Sequence, residues 1–486
     1  MSMDQAPYVD IRKMLATGDL SGARAARIGS LFNGSALMNA ADAAVAQVRD
    51  SVVNWPGPVS YYADPLHLYL CVTNMRGVPY VVRMVADETM RGHRVVNHGD
   101  YAHFIVHGAG PANVTAPFPG AFDINRSDLA SDGWDVLRDA ALATSAFPGG
   151  FPARPFRNTV DMYRQRTWTG RARNRASCPS SVLLDLPDDV SDRYDFWCVD
   201  GGLIYNEPIE YARTALLGCA DQSSNRDGHS ANRTVLLIDP FPDDLEWRGK
   251  PAAKADGPDV LDALLSLIPM LRAQSAFRPE DLTLALSEDV HTRYLIAPIR
   301  SSKLAGESDL ASSGLAGFAG FVHEQLRMHD FQLGRRNCQK FLKDRFFLHA
   351  DNPVFAGWRN RLKAHPEWFE AYRPASGCTS GASRGGQDLF QVIPLVPAVS
   401  APIRPRPWPK LRRQEDLEPI ARLARDRTEL VVPQLIRTLL QRAGIEERRM
   451  LSRMMRKIAC DVITRKAASS AITAVESDLR ARHLIA

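Results

Sequence analysis

The chain has 486 residues, 45% of them hydrophobic and 24% charged, with a net charge of +5. That length predicts two or three structural units, and that balance is typical of a globular protein with a full core. Seven scattered cysteines (Cys71, Cys178, Cys198, Cys219, Cys338, Cys378 and Cys460), none in a C-x-x-C pair, argue against a disulfide framework and a structural zinc site, and point to a reducing compartment. No N-terminal stretch reads as a signal peptide and no run is long enough to span a bilayer, so the expected location is cytoplasmic, with any membrane contact peripheral. The charge is uneven: from Arg404 onward there are 19 Lys/Arg against 10 Asp/Glu, whereas the rest holds 41 against 45.

In chain order, DIRKMLATGDL and SALMNAADAAVAQVRDSVV carry apolar residues at helical spacing. HLYLCVTN and VPYVVRMV are β-rich runs joined by Met75-Arg76-Gly77, which predicts a strand pair with a turn. HFIVHG reads as a short strand, with His98 on the loop before it. DVLRDAALATSAFPG reads as a helix stopped by Pro148, Gly149 and Gly150. DFWCVD is a strand ending at Asp200, NEPIEYARTALLGC a helix, and TVLLIDP a buried strand. This alternation predicts an α/β layer fold over residues 1–250. Residues 251–373 read as a helical extension, 374–410 as a Pro/Gly/Ser-rich connector, and 411–486 as a basic helical tail with breaks at Pro433 and Gly444.

The stretch WCVDGGLIYNEP places an acidic residue, Asp200, at the end of a strand and before two glycines. Such a turn lets other backbone approach a carboxylate, although a bare D-G-G is more often a simple Asx turn. Together with ALATSAFPGGFPARPF this stretch resembles the patatin-like phospholipase family. The matching residues are Ala143, Ser145, Phe147, Pro148, Phe151 and Pro152, then Asp200, Gly201 and Gly202, then Asn206 and Pro208. GFAGFVHEQLRMHDFQLGRRNCQKFL resembles the C-terminal part of larger bacterial members. The resemblance implies a three-layer sheet with helices on both faces and lipid acyl-ester hydrolysis by a Ser-Asp dyad, with no cofactor or metal. Asp200 would be its base, and Asn206 and Pro208 a supporting turn.

The family's glycine-rich oxyanion loop and G-x-S-x-G elbow should precede LYLCVTN, and neither is found there. The nucleophile is therefore not identified, and the first strands of the sheet are expected to be missing. Gly381–Gly385 (GASRG) matches the elbow literally, but in a polar connector after Asp200, which makes Ser383 a decoy. Ser35, in LFNGSALMNAADAAV, reads better as a helix cap than as a nucleophile. His98, His103 and His107, and His323 with His329, lack metal-ligand spacing.

Three readings of function follow. The chain is part of a lipid acyl hydrolase with more sequence upstream, or works with a second polypeptide that supplies the N-terminal part, or is an inactive patatin-like scaffold that binds lipid or a partner. Basic segments offer peripheral membrane contact. One is Arg164–Arg175, which surrounds Trp168 and reads as a solvated insertion loop. Gly334–Asn337 (GRRN) reads as the end of an amphipathic helix, and the tail as interfacial helices, a partner-binding arm, or elements packed on the body. No nucleic-acid module is recognised.

Overall fold

In the computed structural model the chain divides into two compact units built from separated segments. Residues 1–215, 251–276 and 425–465 form the first, and 216–250, 277–424 and 466–486 the second. The sequence-based division at 250, 373 and 410 followed composition, whereas each unit gathers pieces distant in the chain. The structure describes residues 9–21, 28–52, 61–82, 92–108, 120–125, 132–164, 166, 182–186, 192–204, 208–217, 226–239, 270, 287, 290–300, 309–368, 389–395, 397–443 and 450–485.

The first unit is mixed α/β, with a six-stranded sheet at its centre. Its strands are β1 (Leu66–Val82), β2 (His93–His107), β3 (Phe122–Asn125), β4 (Arg154–Thr159), β5 (Val182–Leu184) and β6 (Arg193–Asp200), in the order β3-β2-β1-β6-β4, with β5 also on β1. All pairings are antiparallel except β2 with β3. Helices α1 (Ile11–Leu15), α2 (Gly34–Val52), α3 (Gly133–Thr144), α4 (Val160–Arg164) and α5 (Ile209–Leu217) complete it.

Strand alternation assigns the two faces of the sheet. Along β6, Tyr194, Phe196 and Cys198 are buried while Arg193, Asp195 and Trp197 are exposed. The buried side joins Val72, Phe104, Phe156 and Ile124 in one core with Trp134, Ala140 and Ala143 of α3. Each such large side chain contributes roughly 1.5–3 kcal/mol over leaving it in water. On the alternate positions of β1 and β2, Tyr69 stacks on His103 (4.1 Å between ring centres) and on Tyr211 of α5 (5.5 Å).

One predicted turn is a bulge. HLYLCVTN and VPYVVRMV belong to a single strand, β1, whose pairing with β2 shifts between Thr73 and Val78. The side chain of Asn74 accepts hydrogen bonds from the Arg76 and Gly77 N–H groups, both at 2.9 Å, and Gly77 takes φ +76°. The turn residues therefore push out a loop without reversing the chain. β2 is also longer than expected and includes His98.

In the second unit, β7 (Val235–Ile238) pairs in parallel with β8 (Arg293–Ile296) in a small sheet of its own. It is not the buried strand expected, since Leu236 and Ile238 are exposed. β9 (Phe347–His349) pairs with β10 (Leu389–Gln391), so the expected connector contains a strand, and Phe390 there is buried against Phe355 and Leu348. Helix α6 (Glu324–Asp344) runs through Gly334–Asn337, so GRRN lies mid-helix and its arginines do not serve a helix end. α7 spans Ala356–Ala364.

Two long helices follow, α8 (Glu418–Arg442) and α9 (Met450–Ala481). α8 continues through Pro433, which removes one backbone bond in a 25-residue helix without ending it. Leu411, Leu417, Leu479 and Leu484 are buried with Ala319, Val322 and Leu326, so these parts of the basic tail are packed elements of the second unit. Within the first unit, Arg427 is buried and pairs with Asp19 at 2.8 Å. Nearly all of PDVLDALLSLIPMLRAQ, and Gly444, lie outside the described residues.

Candidate functional site

Asp200 ends β6, the strand paired with β1, and sits opposite Val72. Its backbone N–H donates to the Ala146 carbonyl at 3.0 Å and its carbonyl accepts from the Thr73 hydroxyl at 2.8 Å. The Thr144 hydroxyl donates to the Cys71 carbonyl at 2.6 Å. Three sequence-distant segments, ending in LCVT, ATSA and VDGG, are thus joined at one corner of the sheet. A Cβ on Gly201 would lie 2.2 Å from the Cys71 carbonyl oxygen, so only glycine fits where this turn crosses β1. The half-buried Asp200 carboxylate accepts from the Gly202 N–H at 2.8 Å, capping a short 3₁₀ turn over Gly201–Leu203. Pro208 lies at the entry of α5, its carbonyl accepting from Ala212 N–H, whereas Asn206 and Ser383 fall outside the described residues.

The serines named from the sequence bond elsewhere. The Ser145 hydroxyl donates to the carbonyls of Ala141 and Leu142 at the end of α3. Ser35 does not cap α2; Asn33 does, its side-chain oxygen accepting from Ser35 N–H at 2.9 Å. The LFNGS segment is nevertheless tied to the ATSAFPGGFP stretch, Ala143–Pro152. Leu31 and Phe32 donate to the carbonyls of Gly149 and Gly150 at 2.8 and 2.9 Å, and Phe32 packs on Phe151.

A second constellation on the same sheet escaped the sequence reading. Asp100 of β2 faces Val72 from the other side of β1. Its buried carboxylate accepts from Asn74 Nδ2 (3.0 Å), Tyr163 OH (2.7 Å), its neighbour Tyr101 N–H (2.7 Å) and the Arg166 guanidinium. Arg166 also lies over the rings of Tyr101 and Tyr163, at 4.1 and 4.5 Å. Burial works against the Arg166 charge, but Asp100, Tyr101 and Tyr163 together outweigh it and raise the guanidinium above its ordinary value. Arg166 is therefore not part of a solvated loop; residues 167–175 lie outside the described residues. Burial first, and the Asp100 charge second, push the Cys71 and Cys198 thiols up to about 12.

Beside this network His67 Nδ1 and His103 Nε2 are 3.0 Å apart, a separation that requires one ring to donate and the other to accept. Burial, then His67, then Arg166 hold His103 down to about 3, and burial and His107 lower His67. His98 contacts the Asn74 carbonyl at 2.8 Å and His107 contacts Asp123 at 3.3 Å. His323 caps α6, accepting from Gln325 N–H, and His329 Nδ1 meets Asp330 at 2.8 Å. Among the described residues no group of three or more His, Cys, Asp or Glu is arranged to hold a metal ion. No helix among them is long and apolar enough to cross a membrane.

No family model matches the chain, and no solved structure does. It is similar to the uncharacterized protein y4iI of Sinorhizobium fredii, at 28% identity over 387 residues that take in 74% of this chain and 52% of that protein. The chain thus spans about half the length of the curated relative it matches.

Proposed function

We propose that Asp200 is the general base of a patatin-like Ser-Asp dyad that hydrolyses lipid acyl esters. Its serine is supplied by polypeptide outside these 486 residues, either further upstream or from a second chain. The observation that carries this reading is the junction of the ATSA segment, Ala143–Ala146, with D-G-G through the Asp200–Ala146 backbone bond, beside a Gly201 that tolerates no side chain. The supplied part would also contribute the oxyanion loop and the strands that complete a three-layer sheet.

In the reaction the carboxylate takes the serine proton as its oxygen attacks the acyl carbonyl. The tetrahedral oxyanion collapses to an acyl-serine, and the proton passes to the departing alcohol. Water, deprotonated by the same carboxylate, then releases the fatty acid. The substrate is a phospholipid or related lipid ester at a membrane reached peripherally from the cytoplasm.

The test is phospholipid and short-chain ester hydrolysis by the polypeptide extended upstream in frame, with and without Asp200→Asn. A loss of roughly 10²–10⁴-fold supports the assignment; unchanged turnover overturns it. A second reading, an inactive lipid- or partner-binding scaffold, is favoured by the capping role of the Asp200 carboxylate and by the bonding of Ser35 and Ser145 elsewhere. It predicts binding to phospholipid vesicles with no turnover in either form.

A further inference from the structure

The second unit contains a cleft of about 470 Å³, lined by Arg300, His329, Leu333, Arg336, Arg406 and Trp408 among others. That is the size of a small-molecule site. One wall is α6 and the other is the segment running from Val399 to Trp408. Gln332, Arg336 and Gln339 recur at positions that share a face of α6. Gln332 Nε2 donates to the Arg404 carbonyl at 3.2 Å, and Gln339 Nε2 to the carbonyls of Val399 and Ala401 at 2.8 and 2.9 Å. These neutral bonds clamp the strap to the helix on both sides of Arg336. Pro405 and Pro407 flank Arg406 and stiffen the strap that presents it. Trp408 is fixed by its Nε1–H donating to the Arg482 carbonyl at 3.0 Å. The guanidinium of Arg300 lies over the Trp408 ring at 4.2 Å, and His329 meets that ring edge-on.

The fold therefore holds like charges together. Among the described residues no acidic side chain lines the cleft, and neither Arg336 nor Arg406 takes part in an ion pair. The acid nearest in sequence, Asp330, is committed. It accepts from the N–H groups of Ala311 and Ser312, both at 2.8 Å, from the Ser312 hydroxyl, and from His329 Nδ1. With Nδ1 donating to a carboxylate, Nε2 is the remaining polar atom of the His329 ring. Placing Arg336 and Arg406 in one cleft with no ion-pair partner costs free energy that an anion would recover. One carboxylate matches a single fork. Arg336 of α6 and Arg406 of the strap, with the His329 ring in the same lining, match a group with several acceptor oxygens and two charges.

We propose that this cleft binds a phosphate monoester dianion, whether as a soluble metabolite or as a lipid headgroup. The proposal stands independently of the acyl-hydrolase reading. The test is calorimetric titration of the folded 486-residue chain with inorganic phosphate and with glycerol 3-phosphate at fixed ionic strength. A parallel arm measures sedimentation with phosphatidylcholine vesicles with and without phosphatidic acid.

The expected result is saturable binding at one site, weakened roughly tenfold by Arg336→Gln and again by Arg406→Gln, as loss of one charge-assisted bond implies. Arg335→Gln, whose side chain bonds Gln332 and lies over Phe331, should leave binding unchanged. Binding to soluble esters identifies a metabolite site, and binding confined to phosphatidic acid vesicles a headgroup site. Absence of saturable binding in every arm would overturn the proposal, as would an equal loss in Arg335→Gln. Should Arg336→Gln fail to fold, Arg406→Gln on the exposed strap carries the test alone.

Discussion

Asp100 and Asp200 flank the same residue, Val72, from the two strands that border β1. Asp100 is buried, and its charge is met by a guanidinium, a phenol, an amide and a backbone N–H. Asp200 is half-buried at a strand tip, where a backbone N–H from its own turn meets its carboxylate. The first arrangement closes the carboxylate in among its partners. The second holds the backbone on both sides of the carboxylate and leaves the group near the surface. One sheet thus carries two acids in one row in contrasting settings, and the proposed chemistry falls to the more open one.

That contrast can be broken at either end. The largest expected effect is at Asp100: Arg166→Ala strands a buried carboxylate and should destabilise the first unit by about 3–5 kcal/mol in urea unfolding. A loss within about 1 kcal/mol would mean that the pair is not a structural anchor. Gly201→Ala should cost about 1–3 kcal/mol, because its Cβ meets the Cys71 carbonyl and neither strand can move away freely. A wild-type melting temperature would show that the turn is looser than described.

The neighbouring imidazoles sharpen the comparison through pH. His103 stays neutral in the folded chain down to about 3, whereas in the unfolded chain it takes a proton near 6.5. Between those values the unfolded state binds more protons, so stability should fall as pH drops from 6.5 toward 3. His103→Gln should flatten that slope, and an unchanged profile would place the acid sensitivity elsewhere. The smallest effect is at Asp200 itself. Asp200→Asn keeps an oxygen to accept from Gly202 N–H, and should change stability by less than about 0.5 kcal/mol. A larger loss would give Asp200 the structural role assigned to Asp100.

How legible these features were depended on how local they are. The strand DFWCVD, which the structure extends back to Arg193, its end at Asp200 and the close approach at Gly201 follow from alternation and paired glycines within a few residues. The bulge was misread because Asn74, Arg76 and Gly77 supply the chemistry of a reversal, and only the pairing of both halves with β2 decides otherwise. At α2 the helix starts at Gly34, one residue before Ser35, which puts Asn33 rather than the expected Ser35 in the capping position. The Asp100–Arg166 pair joins residues far apart in sequence, and its arginine sits in a polar stretch that looked solvated. Arg336 and Arg406 were visible as basic residues. Their proximity depends on Gln332 and Gln339 binding a proline-rich strap, which composition marked as a connector.

The most direct measurement is labelling with a serine-reactive fluorophosphonate, mapped by mass spectrometry, on the 486-residue chain and on the polypeptide extended upstream in frame. The account predicts that the 486-residue chain, shown to be folded, stays unlabelled. In the extended polypeptide one serine upstream of Met1 should react, and Asp200→Asn should abolish that reaction. Asp200-dependent labelling of Ser35 or any other serine within the 486 residues would contradict it, as would labelling of the extended polypeptide that persists in Asp200→Asn.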